Sequence, residues 1–270
     1  MTHPASSPDE KSPRLRYGAW QNEAYLAPLL KTRWHQYAPY NARSPIRRSK
    51  IAWGDKAHAP IGCVPLAIGQ IFGALADKTE TLPDRDKWSI LGETAKVYPF
   101  SSKAVSRTLS EKLAMLARQT IIWANYHFSL GSPLRALKCF RKNGFPEARL
   151  KWFKKDKKSE IIRHLSHHKP LLFMGLDPPL QGHAWVVDGY ARNVRVKETL
   201  REDGTVEQSE KEVAEYLHCN FGWGGTANGF YPLGDFDTTT GPFLTDRDID
   251  TAGVLKASRN FTRFVHFVSY

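Results

Sequence analysis

The stretch Ile61-Gly62-Cys63-Val64-Pro65-Leu66-Ala67-Ile68-Gly69-Gln70-Ile71-Phe72 frames the reading of this chain. From Cys63 to about Ala76, the apolar residues Val64, Leu66, Ala67, Ile68, Ile71, Phe72 and Leu75 cover most of a helical surface. That breadth is expected of a helix buried through the centre of a domain. Pro65 fits only in the first turn, where its missing N–H has no partner to lose. Cys63 therefore falls at the helix start. A thiol there meets free backbone N–H groups and the positive end of the helix dipole, and both favour the nucleophilic thiolate.

Upstream, Met1 to Arg14 are rich in Pro and Ser and read as a disordered tail without the apolar core of a secretory signal. Such a start leaves two addresses open, retention in the cytoplasm or export after removal of a signal. Tyr17 to Lys31 reads as short-helical or turn-like, and Trp34 to Asn41 as a loop. Downstream, helices are expected from about Ser106 to Tyr126, from Leu134 to Lys142 (ended by Asn143-Gly144), and from Lys157 to Ser166. The register then changes. Pro170–Leu176, Ala184–Tyr190, Val194–Thr199, Gln208–Cys219, Phe230–Leu233 and Phe264–Ser269 read as strands, with a hairpin turn at Asp203-Gly204. Helices in the first half and antiparallel strands in the second imply an α+β fold. The domain reading is a flexible tail over 1–16, then one catalytic domain over 17–270 with an inserted hairpin at about 194–217.

The chain has 270 residues, 41% of them hydrophobic, with no run approaching the roughly 20 apolar residues that a spanning helix needs. A membrane span is therefore excluded from the reading. Lys and Arg number 39 against 27 Asp and Glu, a net charge of +12 concentrated in Arg43–Lys50 and Lys151–Lys158. No recognised nucleic-acid motif accompanies these runs, and solvated basic faces account for them better than nucleic-acid binding. Three cysteines, Cys63, Cys139 and Cys219, cannot build a disulfide framework, and no Cys/His spacing suits a metal. Cys139 and Cys219 read as buried packing residues.

Acyl transfer by a thiol needs an imidazole to hold and return the proton, a group to orient it, and donors for the developing oxyanion. Gly62, lacking Cβ, lets a substrate approach Cys63 closely. His183 stands at the head of a hydrophobic strand after Gln181-Gly182. Asn220 ends another strand and is followed by the glycine- and aromatic-rich turn Phe221-Gly222-Trp223-Gly224-Gly225, suited to covering an Asn–His hydrogen bond with an indole. Gln36, in the loop before the helix, can offer its amide to the oxyanion beside the Cys63 N–H. Taken singly, each residue reads as packing or a turn. Their order, Cys then His then Asn, is that of a Cys-His-Asn hydrolase.

The whole pattern resembles the streptopain family of cysteine peptidases, the C10 group with a papain-like fold. The matching residues are Pro28-Leu29-Leu30, Trp34, Gln36 and Pro39-Tyr40-Asn41; Gly62-Cys63-Val64, Ala67 and Gln70; Gly131-Ser132; Gly182-His183-Ala184 and Val187-Asp188-Gly189-Tyr190; and Asn220, Gly222-Trp223-Gly224-Gly225 and Gly229-Phe230. The resemblance implies Cys63 as nucleophile and His183 as base and acid. Asn220 or Trp223 would orient His183, and Gln36 would line the oxyanion hole. Gly62, Gly182, Gln181, Phe221 and Gly222 would bound the substrate groove. It implies cleavage of protein or peptide substrates with a hydrophobic residue near the cut, no metal or organic cofactor, export by bacteria, and a pro-segment or inhibitor protein as cleft occupant. Pro65-Leu66 replaces the family's usual Ala-Thr, Phe221 its usual Trp, and the charged hairpin is longer than is typical. An amidase, deamidase or acyltransferase on the same scaffold, or an inactive binding protein, are the competing readings. A thiolate–imidazolium pair of Cys63 and His183 would alkylate fast well below the free-thiol pKa of roughly 8.5.

Overall fold

A computed structural model describes residues 14–44, 58–92, 103–124, 129–177, 181–245 and 259–270. In chain order the elements are β1 (Arg14–Tyr17), β2 (Gln21–Leu26), α1 (Cys63–Leu75), α2 (Arg85–Gly92), α3 (Lys103–Thr120), β3 (Ile121–Ala124), β4 (Ser129–Gly131) and α4 (Pro133–Lys142). There follow β5 (Arg149–Trp152), α5 (Lys158–Ser166), β6 (Leu171–Asp177), β7 (Gln181–Leu200), β8 (Val206–Asn220), β9 (Gly229–Pro232), β10 (Leu244–Thr245) and β11 (Arg263–Ser269). The main sheet runs β10-β9-β8-β7-β6-β11-β5, with β1 and β2 also paired to β7. Its pairings are antiparallel. The fold is α+β, as the sequence implies.

Side chains alternate across a strand, so one strand feeds two cores. Leu172, Met174, Ala184 and Val186 join α1, α2, α3 and α4 in one cluster, while Leu171, Phe173, Trp185 and Val187 join Ile161 and Leu165 of α5 in the other. α1 is buried nearly all round. Phe72 at its middle meets Trp88 edge-on at 5.7 Å and Phe140 at 5.5 Å. α1 and α2 approach through glycine: a Cβ on Gly73 would stand 2.8 Å from the Gly92 Cα. The predicted start and stop of α4 hold. The Ser132 side chain caps it, Pro133 opens it, and Asn143 closes it through backbone bonds to Cys139 and Phe140.

Three expectations need correction. Tyr17 to Lys31 is not helical: Arg14–Tyr17 and Gln21–Leu26 are strands on the outer edge of β7, with Arg14 opposite Leu200. Arg14 to Arg16, assigned to the tail, thus belong to the sheet; residues 1–13 lie outside the described part. The helix expected to reach Tyr126 stops at Thr120, and Ile121–Ala124 turns into a hairpin with Ser129–Gly131. Thr120 spends its hydroxyl on the Leu116 carbonyl, and the β-branched and aromatic run Ile121-Ile122-Trp123 favours extended backbone over helix. Tyr126 itself lies outside the described residues. Finally, the strands expected at 184–190 and 194–199 are one strand, β7, whose outer half forms the predicted charged hairpin with β8.

Candidate active site

The N-terminus of α1 abuts β7, and the two elements build a cavity of about 310 Å3 lined by Cys63, Val64, Gly182 and His183. The rest of the lining is mostly apolar: Leu130 and Gly131 from β4, Pro133 at the start of α4, Met174, Gly175 and Leu176 from β6, and Phe264 from β11, with His266 of β11 its polar member. Gly62 caps α1 with φ +95° and ψ +148°, a conformation open to glycine, and provides no side-chain cap. The first-turn N–H groups are therefore left to whatever occupies the space at Cys63. Backbone N–H groups of Ala184, Val64 and Cys63 itself stabilise a thiolate, yet burial is the larger influence and pushes the Cys63 thiol above its ordinary pKa.

His183 sits in β7 opposite Gly175 of β6. Its Nε2 lies 2.8 Å from the Phe221 carbonyl oxygen. A carbonyl only accepts, so Nε2 carries the hydrogen, and in the neutral ring Nδ1 is left as the basic nitrogen. The imidazole is packed by aromatic rings: Trp223 at 4.8 Å, Phe261 at 5.0 Å and Phe221 at 6.1 Å between centroids. Burial lowers its pKa from 6.5 to about 4, opposed by the bond to Phe221. Among the described residues no hydrogen bond joins Cys63 to His183; the two share the cavity with thiol and imidazole both pressed toward neutrality. The fast alkylation at low pH expected of a resting ion pair runs against these directions, because desolvation outweighs the helix N-terminus.

Among the described residues Asn220 makes no hydrogen bond to His183. Its Nδ2 donates to the Thr32 carbonyl at 2.8 Å, and its Oδ1 accepts from Gly222 N at 3.1 Å and from Gln70 Nε2 at 3.5 Å. Its side chain thus ties the 221–225 turn to the segment entering the Gln36 loop. That segment is pinned elsewhere too: Asp188 accepts from Leu30 N and faces His218 Nδ1 at 2.6 Å, and Gly224 N donates to the Trp34 carbonyl. Gln36 is anchored by its backbone, whose carbonyl accepts from Ile61 N at 2.9 Å, two residues before Cys63.

Of the expected groove residues, Gly182 lines the cavity and Gly62 caps the helix beside it. Gln181 pairs with Asp177 at the strand start and is not part of the wall. Phe221 is buried, so its ring serves packing while its carbonyl serves His183. Gly222, with φ +68°, lies where a Cβ would come within 2.7 Å of Leu66 Cδ2; it is a packing glycine, not a groove residue. Trp223 packs against the imidazole, but the Asn–His hydrogen bond it was expected to cover is absent among the described residues. Two contributors were missed. The Phe221 carbonyl is a main-chain atom that no side-chain pattern reports. Phe261 comes from the far end of the chain, held by Asn260 N to Asp177 and Phe261 N to the Phe236 carbonyl. Cys139 and Cys219 are buried and free, as expected; burial raises the Cys139 thiol to about 12. Among the described residues no helix is long and apolar enough to cross a membrane.

A family model for peptidase C10 matches residues 87–231, a span that takes in His183 and Asn220 but begins after Cys63. Streptopain of Streptococcus pyogenes serotype M28 is 24% identical over 233 residues, covering 74% of this chain and 53% of that protein; streptopain of serotype M1 aligns with the same figures. The thiol protease/hemagglutinin PrtT of Porphyromonas gingivalis is 24% identical over 263 residues, covering 83% of this chain and 27% of that protein. The chain spans about half the length of the streptopains it matches. Since the family model takes in more than half of the sequence, this chain belongs to the peptidase C10 family.

Proposed function

We propose that this chain is a cysteine endopeptidase with a papain-like arrangement of helix and sheet. Cys63 attacks the carbonyl carbon of a peptide bond while His183 Nδ1 takes the thiol proton. The resulting oxyanion is held by the Cys63 N–H and the Gln36 amide. Its collapse breaks the C–N bond, and His183 returns the proton to the departing amine. Water then attacks the thioester with His183 again as base, releasing the acid and restoring the thiol. With both groups neutral at rest, the proton moves as the sulfur attacks, so the charges form together and attract each other in a poorly solvated site.

The observation that carries this reading is the meeting of Cys63 and His183, distant in sequence, on one cavity with backbone N–H groups at the sulfur. The apolar wall of Leu130, Met174, Leu176 and Phe264 suits a hydrophobic substrate side chain near the cut. A pro-segment or inhibitor protein in this cleft and export from a bacterial cell complete the proposal, on the strength of the family. The test is cleavage of unfolded casein by Cys63→Ala and His183→Ala variants. Both should lose turnover with the fold retained; cleavage by folded Cys63→Ala would reject the assignment.

A further inference from the structure

A second cavity, of about 490 Å3, shares no residue with the one at Cys63. It is lined by Arg43, Ser44, His58, Arg107, Glu111, Ala114 and Arg118. Three guanidinium groups thus face one space. The single carboxylate, Glu111, is engaged by Arg107 at 3.0 Å along α3. Arg43 and Arg118 have no carboxylate partner among the described residues. Positive charges that outnumber the carboxylates around one space repel, and the folded chain tolerates them best when an anion sits between them.

Ser44 gives an independent pointer. It is 3% exposed, and its buried hydroxyl makes no hydrogen bond, a costly state for a polar group in a protein interior. His58 Nδ1 lies 3.0 Å from the Ser44 carbonyl, so Nδ1 carries the hydrogen there. The wall is also firmly built: Asn41 Nδ2 donates to the His58 carbonyl at 3.1 Å, joining the Gln36 loop to the stretch that leads into Cys63. Planar guanidinium forks with a hydroxyl donor match the geometry of a tetrahedral oxyanion.

We propose that this cavity binds a tetrahedral oxyanion, the phosphate or sulfate group of an ester, held between Arg43 and Arg118 with the Ser44 hydroxyl as a further donor. The site is separate from the catalytic one and gives part of the +12 charge a specific use.

The experiment titrates inorganic phosphate and inorganic sulfate into the full chain by calorimetry, at fixed ionic strength with acetate as the balancing anion. Saturable binding with one site is expected. It should weaken about tenfold or more in the Arg43→Ala/Arg118→Ala double variant, taking somewhat over 1 kcal/mol for the pair. Ser44→Ala should weaken it in the same direction, and Lys138→Ala, which removes one positive charge from α4, should leave it unchanged. Circular dichroism of each variant separates lost binding from lost fold, and a double variant that misfolds is replaced by Arg118→Gln. Preference for phosphate assigns a phosphate ester and preference for sulfate a sulfate ester. No saturable binding to either, or equal weakening by Lys138→Ala, overturns the proposal.

Discussion

Replacing Asn220 with Ala separates two accounts of the active site. Asn220 is 3% exposed, and its amide makes three hydrogen bonds, none of them to His183. Truncation leaves the Thr32 carbonyl and the Gly222 N–H without their partner in a buried place, and the 3.5 Å bond from Gln70 adds little. A buried group stripped of its partner costs about 1–3 kcal/mol, so the two strong losses together cost about 2–6 kcal/mol, eased where water enters. His183 keeps its bond to the Phe221 carbonyl, which no substitution of the Asn220 side chain deletes. The expected result is a large fall in the urea midpoint with little change in turnover per folded, titrated active site. The assay is denaturation followed by fluorescence, paired with hydrolysis normalised to thiol titration. An unchanged midpoint with turnover down by the factor of about a hundred or more that general acid–base catalysis carries would refute this reasoning and restore Asn220 as the orienting group.

Four further outcomes follow from the geometry. Burial raises the Cys63 thiol and lowers His183 to about 4, so alkylation of the substrate-free protein should climb only toward alkaline pH; a fast plateau at pH 5 would contradict the neutral resting pair. Between pH 6.5 and about 4 the unfolded chain binds a proton that folded His183 refuses, as do His35 and His164 with the same lowered values. Their contribution to stability is therefore whole above about 6.5 and fades as pH falls toward 4, and His183→Gln should flatten part of that slope in denaturation midpoints. Phe261→Ala removes a buried ring stacked on the imidazole and should cost about 3–5 kcal/mol and lower kcat more than KM, whereas Phe261→Tyr should retain most activity. Gly222→Ala puts a Cβ within 2.7 Å of Leu66 Cδ2 at φ +68°, and should destabilise by about 1–3 kcal/mol in thermal unfolding.

What could be read from sequence was what short stretches encode by themselves. The α1 start was legible because Pro65 is compatible with only one turn and because the following residues are apolar all round. Ser132-Pro133 and Asn143-Gly144 announced α4 in the same local way. β1 and β2 were missed because their exposed residues carry no buried face; they are strands only through pairing with β7, as when Arg14 meets Leu200. The continuity of β7 was hidden for a similar reason, since its outer half trades a buried pattern for ion pairs such as Arg195 with Glu212. At the site, Cys63 and His183 were recognisable from their settings, helix start and strand head. The amide of Asn220 was not predictable, because its acceptor is the carbonyl of Thr32, far away in the chain. Phe261 belongs to a segment whose own sequence says nothing of the imidazole it covers.

The central claim is that Cys63 is a nucleophile whose proton is handled by His183. A thiol-directed epoxide inhibitor, applied to the reduced protein at neutral to mildly alkaline pH and mapped by mass spectrometry, tests it most directly. The account predicts modification at Cys63 alone, sparing buried Cys139 and Cys219, and its loss in a folded His183→Ala variant. Modification that bypasses Cys63, or that proceeds as fast without His183, would contradict it.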